Sequence, residues 1–307
     1  MPIHPKKPSC FVATIDLSLA DKLRADLIAR GFEMTQPAHT LFSAQKKGVS
    51  CTLYKSGKLT VQGKEMEELI TFYLEPEILK SIVYSYPETL VDFTPRIGID
   101  EAGKGDFFGP LCIAGVQADE NKIKELLAIG VRDSKTLSDD TVLKMSKKIR
   151  ACSPHSIVKI FPEKYNELIG HFNNLNLLLA WGHATAIAEL VEKTGCRKVT
   201  IDQFAKDHVV ETAIKRKNIE VDLTQSHRGE ADPVIAAASI LARAAFLEGL
   251  ESLSKMVGLP LPKGASTHVI KAGRTLVKEK GEEILQKVGK LHFKTKNEIL
   301  RVPPPLY

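Results

Sequence analysis

The sequence predicts a small α+β domain at residues 1–84 and a larger α/β domain at residues 96–307. Three observations support this division. The first segment contains more strand-like than helical stretches, whereas strands alternate with helices after residue 96. Between the two, residues 85–95 contain prolines at positions 87 and 95, so we expect a linker there. A chain of 307 residues is also long enough for two domains.

The N-terminal elements follow from hydrophobic periodicity and turn residues. Residues 11–16 alternate as a strand does, and residues 19–30 place apolar side chains on one helical face that ends at Gly31. Glycine-containing turns then separate three strands, and a helix closes the unit. These strands are predicted at 40–44, 50–54 and 59–62, and the helix at 65–80. The predicted order is therefore β-α-β-β-β-α.

In the larger domain, the alternation of strands and helices is typical of an α/β layer fold. One strand ends in an acid, Asp202, and ligands gather at strand ends in such folds. The predicted strands are 97–101, 111–116, 156–161, 198–202 and a strand near 219–223. The predicted helices are 120–128, 138–150, 175–194 and 233–250.

Composition excludes several classes of protein. Hydrophobic residues make up 43% of the chain and charged residues 26%, which is typical of a folded globular protein. No apolar run approaches the roughly 18 residues of a membrane span, and the N-terminus lacks the apolar core of a signal peptide. Five scattered cysteines form no metal-ligand spacing. We therefore expect reduced thiols in a cytoplasmic protein with no membrane association.

Positive charge is concentrated in two segments. Residues 261–307 contain ten Lys or Arg against four Asp or Glu, a surplus as large as the whole net charge of +6. The second segment, 41–64, contains Lys46, Lys47, Lys55, Lys58 and Lys64 and no acid. Either segment alone could be an ordinary solvated surface. Together they favour nucleic acid as the partner, because basic surfaces attract polyphosphate chains.

The most informative segment is 97–110, where Asp100 and Glu101 follow an apolar run and precede the turn 103–105, Gly-Lys-Gly. Adjacent carboxylates repel each other, so their placement at the end of a strand is typical of a cation site, and oxygen ligands suit Mg²⁺ or Mn²⁺. A glycine–lysine turn exposes N–H groups that can receive a phosphate or a sugar edge. Because adjacent side chains of a strand point to opposite faces, we expect the strand to bend at Glu101.

Two other interpretations of this segment are a nucleotide-binding P-loop and a simple hairpin. The spacing from Gly98 to Gly105 is close to a nucleotide-binding P-loop, but Gly105 replaces the Ser or Thr that should hold Mg²⁺. Two acids inside the loop would also repel the phosphates. A simple hairpin with two solvated acids would contain the same residues. Metal-dependent phosphodiester chemistry explains the combination better, because it uses the acids and the turn together.

Residues 98–103, Gly-Ile-Asp-Glu-Ala-Gly, followed by Pro110, resemble the type 2 ribonucleases H, and the Gly-Lys-Gly turn resembles their ribonuclease HIII branch. The resemblance runs from about residue 91 to the C-terminus. It implies a ribonuclease H-like catalytic domain, preceded by a small α+β domain similar to the TATA-box-binding protein. Four further motifs occur in the family's order: Asp133-Ser134-Lys135-x-Leu137, Asn174-Leu175-Asn176-x-Leu178-Leu179-Ala180-Trp181, Ile201-Asp202-Gln203-Phe204 and Ala236-Ala237-Ala238-Ser239-Ile240-Leu241-Ala242-Arg243.

By this resemblance, Asp100, Glu101, Asp202 and Glu230 are the catalytic acids, and they hold two divalent ions, Mg²⁺ or Mn²⁺. The interval from Glu230 to Ser239 is one residue shorter than the family pattern. Asp232 is therefore an alternative for the fourth position, although an Asp there is also an ordinary helix N-cap.

The resemblance also assigns residues to substrate binding. Gly103, Lys104 and Gly105 would sense the ribose 2′-hydroxyl, which distinguishes RNA from DNA. Ser134 and Lys135 would hold a nearby phosphate. The basic charge of segment 41–64, rather than the resemblance, assigns the remaining substrate contacts to the N-terminal lysines, Lys46, Lys47, Lys55 and Lys58. By contrast, Trp181 and His183 fall in a leucine-rich helix and are interpreted as a packing residue and a satisfied polar neighbour rather than as catalysts.

The function implied is a metal-dependent endonuclease that hydrolyses the RNA strand of RNA–DNA hybrids and leaves 5′-phosphate and 3′-hydroxyl ends. We expect a monomer that needs no obligate protein partner. One alternative is an enzyme of the ribonuclease HII type, which incises DNA at single ribonucleotides. Another is a non-catalytic nucleic-acid-binding protein, but the intact acids argue against a decayed site.

Overall fold

The computed structural model describes residues 10–80, 91–132, 134–202, 207–226 and 232–301. The chain divides into two compact units, Met1–Val91 and Asp92–Tyr307. Most of the predicted linker, 85–95, lies outside the described residues.

The first unit is a five-stranded antiparallel sheet in the order β1-β5-β4-β3-β2. Its strands are β1 Cys10–Thr14, β2 Glu33–Thr35, β3 Thr40–Lys46, β4 Val49–Tyr54 and β5 Lys58–Gln62. Its helices are α1 Ala20–Ala29, α2 Met66–Leu69 and a π-helical segment, Ile70–Leu79. The prediction missed β2, which is too short to show an alternation. It also expected one regular helix where Pro76, which lacks a backbone donor, lies in a π-helical stretch.

The two faces of this sheet differ in chemistry. One face packs against α1 and the helical segments after β5, and it carries buried apolar residues such as Leu53 and Leu59. On the other face, one cross-strand row consists of Val12, Thr60, Thr52, Ser43 and Thr35. The hydroxyls of Ser43 and Thr52 are 2.9 Å apart. Alternation of apolar and polar residues along a strand is typical of an antiparallel sheet that packs on the core with one face and leaves the other face to solvent.

The second unit contains a mixed five-stranded sheet in the order β10-β9-β6-β7-β8, in which β9 runs parallel to β6 and β10. Its strands are β6 Arg96–Ala102, β7 Leu111–Ala118, β8 His155–Ile160, β9 Lys198–Asp202 and β10 Asp222–Ser226. Its first helices are α3 Glu120–Ile129, α4 Asp139–Cys152, α5 Pro162–Phe172, α6 Leu175–Thr194 and α7 Asp207–Lys215. The remaining helices are α8 Pro233–Val257, α9 Thr267–Lys280, α10 Ile284–Val288 and α11 Lys294–Leu300.

The predicted alternation of strands and helices is confirmed, but α5, α7 and α9 to α11 were not predicted. The C-terminal helices are rich in lysine, but α9 carries Val269, Ile270, Leu276 and Val277 at helical spacing, a signal that the prediction overlooked. Val269 and Leu276 of α9 become a buried face because they pack in one cluster with Phe107 and Phe108. The sequence therefore indicated a helix at α9, and tertiary packing determines which residues its apolar face contacts.

Helix α8 is the central helix of the second unit. By length and composition alone, this helix could cross a membrane, which the sequence analysis did not expect of any segment. However, 78% of its most apolar 18-residue stretch is buried within the protein, as in the core helix of a folded domain. It packs directly on β6 and β7. The approach is close at Gly98 of β6, where a Cβ atom would lie 2.7 Å from the backbone nitrogen of Ile235. This contact places α8 beside the strand that carries the adjacent acids.

Candidate active site

An open cleft of about 550 Å³ brings together most of the residues that the sequence predicts for the site. The end of β6, the turn after it, the end of β9 and one side of α8 form its walls. Three of the four predicted acids, Asp100, Glu101 and Asp202, line this cleft. The fourth, Glu230, lies outside the described residues. The predicted substrate residues Gly103, Lys104, Gly105, Ser134 and Lys135 line the same cleft.

Strand pairing explains why acids far apart in sequence meet here. Strands β6 and β9 are parallel neighbours, and Ile99 is paired with Ile201. The next residues along the two strands are Asp100 and Asp202, so both carboxylates reach the same edge of the sheet. This juxtaposition follows from sheet order, which the sequence alone does not specify.

The two adjacent acids face opposite sides of the sheet, and the strand does not bend at Glu101 as expected. Pairing of β6 with β7 continues to Ala102, and the chain turns only at Gly103, where φ is +85°. Asp100 interacts with Ser239 of α8, whereas Glu101 interacts with His183 of α6. The ordinary alternation of a strand is thus preserved, and each acid is held by a different helix.

Asp100 is held in an unfavourable electrostatic environment. Its Oδ1 accepts a hydrogen bond of 2.8 Å from the backbone N–H of Glu101. Burial, followed by the negative charge of Glu101, raises the pKa of Asp100 to about 6, although the hydrogen bond from Ser239 acts in the opposite direction. Burial and the adjacent carboxylate therefore both disfavour the ionised form of Asp100.

Glu101 is compensated more completely than Asp100. Its Oε2 lies 3.1 Å from His183 Nε2, and its Oε1 lies 3.6 Å from Lys104 Nζ. Burial raises the pKa of Glu101, but His183 and then Lys104 outweigh this and hold the pKa below its ordinary value. His183 is fully buried and has a polar partner, as expected of a satisfied polar residue, but the sequence did not indicate that this partner is an acid of the site. No spacing in the sequence signals this contact, because α6 and β6 are far apart in the chain.

The two glycines of the turn have different surroundings. A Cβ atom on Gly103 would lie 2.2 Å from the carbonyl oxygen of Pro110, and its φ is positive. Gly105 is exposed, and a Cβ atom there would meet nothing within 4 Å. Gly103 therefore shapes the turn through contacts inside the protein. Room for a ligand exists at Gly105.

The segment at Ser134 and Lys135 is held from behind by residues that the sequence analysis did not assign to the site. The Ser134 hydroxyl is 2.8 Å from that of Ser239, and Arg243 donates to the Ser134 carbonyl oxygen. Arg243 also pairs with Asp139 at 2.6 Å. Burial raises the pKa of Asp139, but hydrogen bonds from Lys263 and Arg243 outweigh it and lower the pKa. Ser134 is thus used internally, while Lys135 is exposed to the cleft.

Asp232, the alternative fourth acid, has a structural role. Its Oδ1 accepts from the N–H of Val234 at 2.7 Å and so caps α8. It also accepts two hydrogen bonds from the buried guanidinium of Arg96, at 2.8 and 2.9 Å. Arg96 further donates to the carbonyl oxygens of Asp92 and Thr94. This pair ties the start of β6 to the start of α8.

The residues present fit a divalent cation. Within the described residues, no group of three His, Cys, Asp or Glu side chains is arranged to hold a metal ion. However, the three carboxylates that line the cleft are the hard oxygen donors that Mg²⁺ and Mn²⁺ prefer. Burial and then the charge of Glu101 disfavour the ionised form of Asp100, and a bound cation would stabilise that form.

The lysines predicted to grip the substrate do not form one patch. Lys46 and Lys47 lie at the turn between β3 and β4, whereas Lys55 and Lys58 lie at the turn between β4 and β5, at the opposite end of the sheet. Lys46 Nζ donates to the carbonyl oxygen of Arg30 at 2.9 Å and is therefore engaged within the unit. Successive hairpin turns lie at opposite ends of an antiparallel sheet, so the predicted strand order already implied this separation, which the assignment of one set of substrate lysines overlooked.

Comparison with protein families gives two matches. The family described as Ribonuclease HII matches residues 97–296, and a domain of unknown function, DUF3378, matches residues 10–82. Among curated relatives, Ribonuclease HIII of Protochlamydia amoebophila is 57% identical, covering 94% of this chain and 96% of its own. Ribonuclease HIII of Chlamydia abortus is 49% identical, covering 94% and 97%.

Two solved structures extend the similarity to three dimensions. The crystal structure of Bst-RNase HIII in complex with Mn²⁺ matches with a TM-score of 0.68 and 30% identity, covering 95% of this chain and 98% of that one. RNase H3 of Aquifex aeolicus matches with a TM-score of 0.56 and 27% identity, covering 92% and 100%. The fold class predicted from the sequence is confirmed.

Proposed function

This chain belongs to the ribonuclease HIII family, and we propose that it is a metal-dependent endonuclease that hydrolyses the RNA strand of RNA–DNA hybrids. The observation that carries this proposal is the cleft in which Asp100, Glu101 and Asp202 meet beside the exposed Gly105. Acids from two strands supply the negative charge that divalent ions need. The turn supplies backbone groups that can approach a ribose.

Asp100, Glu101 and Asp202 would hold the ions, and Mn²⁺ is bound by the related Bst-RNase HIII. When bound, two such ions supply activation of the attacking water and neutralise charge that develops on the phosphate. The protein keeps the acids in position: Ser239 orients Asp100, and His183 orients Glu101. Cleavage would leave 5′-phosphate and 3′-hydroxyl ends.

For the fourth ligand, we favour Glu230 over Asp232. Both oxygens of Asp232 are used by Arg96 and by the first turn of α8. Recruiting it to a metal would leave the buried Arg96 guanidinium without its partner, which is costly. Among correctly folded variants, Glu230→Gln should therefore lower kcat far more than Asp232→Asn does. The opposite ranking of kcat would assign the ligand to Asp232.

RNA would be recognised at the turn 103–105, chiefly through Gly105. Because Gly105 is exposed and its Cβ position is open, Gly105→Ala should fold normally but crowd a bound ribose and reduce kcat/KM on hybrid. Gly103→Ala is no test of this contact, since its Cβ atom would clash within the protein. Wild-type kinetics for Gly105→Ala would remove the turn from ribose recognition.

The remaining assignments concern the substrate grip and the cellular setting. Lys135 would contact a phosphate near the scissile bond, since it is exposed at the cleft. Residues 1–84 would bind the hybrid without sequence preference. We also propose that the protein acts as a cytoplasmic monomer.

A cleavage assay tests the function directly. Labelled RNA–DNA hybrid, duplex DNA, duplex RNA and DNA with a single ribonucleotide are each incubated with and without Mg²⁺ or Mn²⁺. We expect metal-dependent cleavage of the hybrid and much weaker incision at the single ribonucleotide. Equal rates on these two substrates would favour the ribonuclease HII type of activity. Hybrid binding without cleavage under any metal condition would support a non-catalytic binding protein.

A further inference from the structure

Lys290 is a buried charged residue that the proposed chemistry does not use. It lies in the basic C-terminal segment, but its side chain is fully buried and adds nothing to a basic surface. Its Nζ donates to the carbonyl oxygens of Asp106 and Gly109, at 2.8 and 2.7 Å, and lies 5.7 Å from the centre of the Tyr165 ring. An ammonium bound by carbonyls in the interior is costly to bury, so its presence calls for a physical reason.

The two carbonyls lie at the two ends of the loop 106–109, which connects the Gly-Lys-Gly turn to β7. The backbone of the same C-terminal segment binds the residues between them. The N–H of Lys290 donates to the carbonyl oxygen of Phe107 at 2.8 Å, and Phe108 forms a β-bridge with Gly289. The segment that ends at Lys290 thus contacts the loop along its whole length.

A second distant segment completes this framework on the cleft side. The N–H of Gly264 donates to Asp106 Oδ1 at 2.5 Å, and the N–H of Phe107 donates to the carbonyl oxygen of Gly264 at 2.9 Å. Upstream, the N–H of Asp106 lies 3.4 Å from the carbonyl oxygen of Gly103. Any displacement of Asp106 would therefore move the neighbouring Gly105 in the cleft.

We propose that Lys290 is a positioning residue for the Gly-Lys-Gly turn, acting through the loop 106–109. The inference deepens the proposed function and rests on it, because the turn matters only if it contacts the ribose. A single ammonium with several donors can bind both ends of the loop at once, which fixes the loop's span as well as its orientation. An apolar side chain of similar volume would leave both carbonyls without this donor.

The test compares Lys290→Met with Leu190→Ala, a matched control in the full-length protein. Leu190 is fully buried in α6, in a different hydrophobic cluster from the loop, and its truncation creates a destabilising cavity. For each variant, kcat and KM are measured on hybrid well below the unfolding temperature. Amide hydrogen exchange of residues 103–109 is measured in the same samples.

We expect Lys290→Met to lower kcat by about tenfold or more with KM changed by less than about threefold, since small misplacements of a site carry losses of this order. Exchange in 103–109 should become faster. Leu190→Ala should keep kcat near wild type and leave this exchange unchanged, and Lys290→Arg, which retains donors, should recover part of kcat. If the wild type itself does not cleave hybrid, the proposed function fails, while the exchange data still decide whether Lys290 holds the loop.

Three results would overturn the proposal. The first is a kcat for Lys290→Met equal to that of Leu190→Ala. The second is unchanged amide exchange in 103–109. The third is failure of both Lys290→Met and Lys290→Gln to fold, because Lys290 would then be required for the whole unit rather than for the loop.

Discussion

The two units of this protein each contain a five-stranded sheet, but they place their polar residues differently. The N-terminal sheet leaves one face for hydroxyl-bearing side chains, and its lysines lie at the exposed turns. The second sheet is covered by α6 on one face and α8 on the other, so its polar groups are buried. Two of its charged groups have specific partners: Glu101 has His183, and Arg96 has Asp232.

This difference has an energetic consequence. A charge at an exposed turn is solvated, so its removal changes long-range attraction and little else. A buried charge is stable only with its partners, so its removal leaves another group uncompensated. Substitutions in the second unit should therefore act on chemistry and stability, and those in the first unit on affinity for a polyanion.

The largest effect is expected at Asp100. Asp100→Asn keeps the acceptor for the N–H of Glu101 but removes the charge, so kcat on hybrid should fall by about 10²–10³-fold with folding retained. Asp202→Asn should act in the same way. The exposed Asp140 of α4 is the control, because Asp140→Asn changes the net charge equally. Near-wild-type kcat in Asp100→Asn would contradict the assignment of the acids.

The buried pair of Arg96 and Asp232 tests the contrast in stability. Arg96→Met should lower the unfolding free energy of the second unit by roughly 3–5 kcal/mol, because Asp232 keeps its charge without its partner. In the first unit, Lys22→Met removes an exposed pair with Glu77 and should cost at most about 1 kcal/mol. Denaturant unfolding of both variants gives the two values. Equal losses of unfolding free energy in the two variants would mean that the buried pair is no more important for stability than the exposed pair.

A pH effect is expected from Lys290. Burial lowers the pKa of Lys290 to about 8 in the folded protein, against 10.5 when it is exposed. Between these values the unfolded chain binds more protons, so this residue makes stability rise with pH across that window, by about 3 kcal/mol in all. The difference in unfolding free energy between wild type and Lys290→Met should change by this amount from pH 8 to 10.5. A constant difference would show that Lys290 titrates normally.

The smallest effects are expected at the N-terminal lysines, and they should differ between the two ends of the sheet. Each lost phosphate contact should reduce the slope of log affinity against log salt by about 0.9. The double variant Lys55→Ala and Lys58→Ala should reduce the slope more than the double variant Lys46→Ala and Lys47→Ala. The reason is that Lys46 already donates to the carbonyl oxygen of Arg30 and is therefore less available to a phosphate. Binding of catalytically inactive protein to hybrid at several salt concentrations measures both slopes. Unchanged slopes in both variants would mean that these lysines are only a solvated surface.

Local sequence determined much of this protein. The strand alternation of residues 40–62, the helix at 175–194 and the acid-glycine motif at 98–105 were each readable because their physical cause lies within a few residues. The motif was specific enough to indicate the family and to predict Asp100, Glu101 and Asp202 as residues of one cleft. These signals depend only on neighbouring residues, so they can be recognised without knowledge of the fold.

Only the tertiary structure decided which distant residues serve these motifs. Packing of α6 brings His183 to Glu101, a contact that no sequence signal predicted. For Asp202, which the family resemblance had assigned to the site, the parallel pairing of β6 with β9 explains how it reaches Asp100. In the same way, the sequence placed Lys290 in a basic segment that was expected to be a surface. In the structure its side chain is buried against the loop that follows the glycine turn. In the sequence, a lysine on an exposed surface cannot be told from a lysine in the interior. The tertiary environment decides which of the two it is. For Lys290 this environment is set by residues 184 and 181 positions away in the chain.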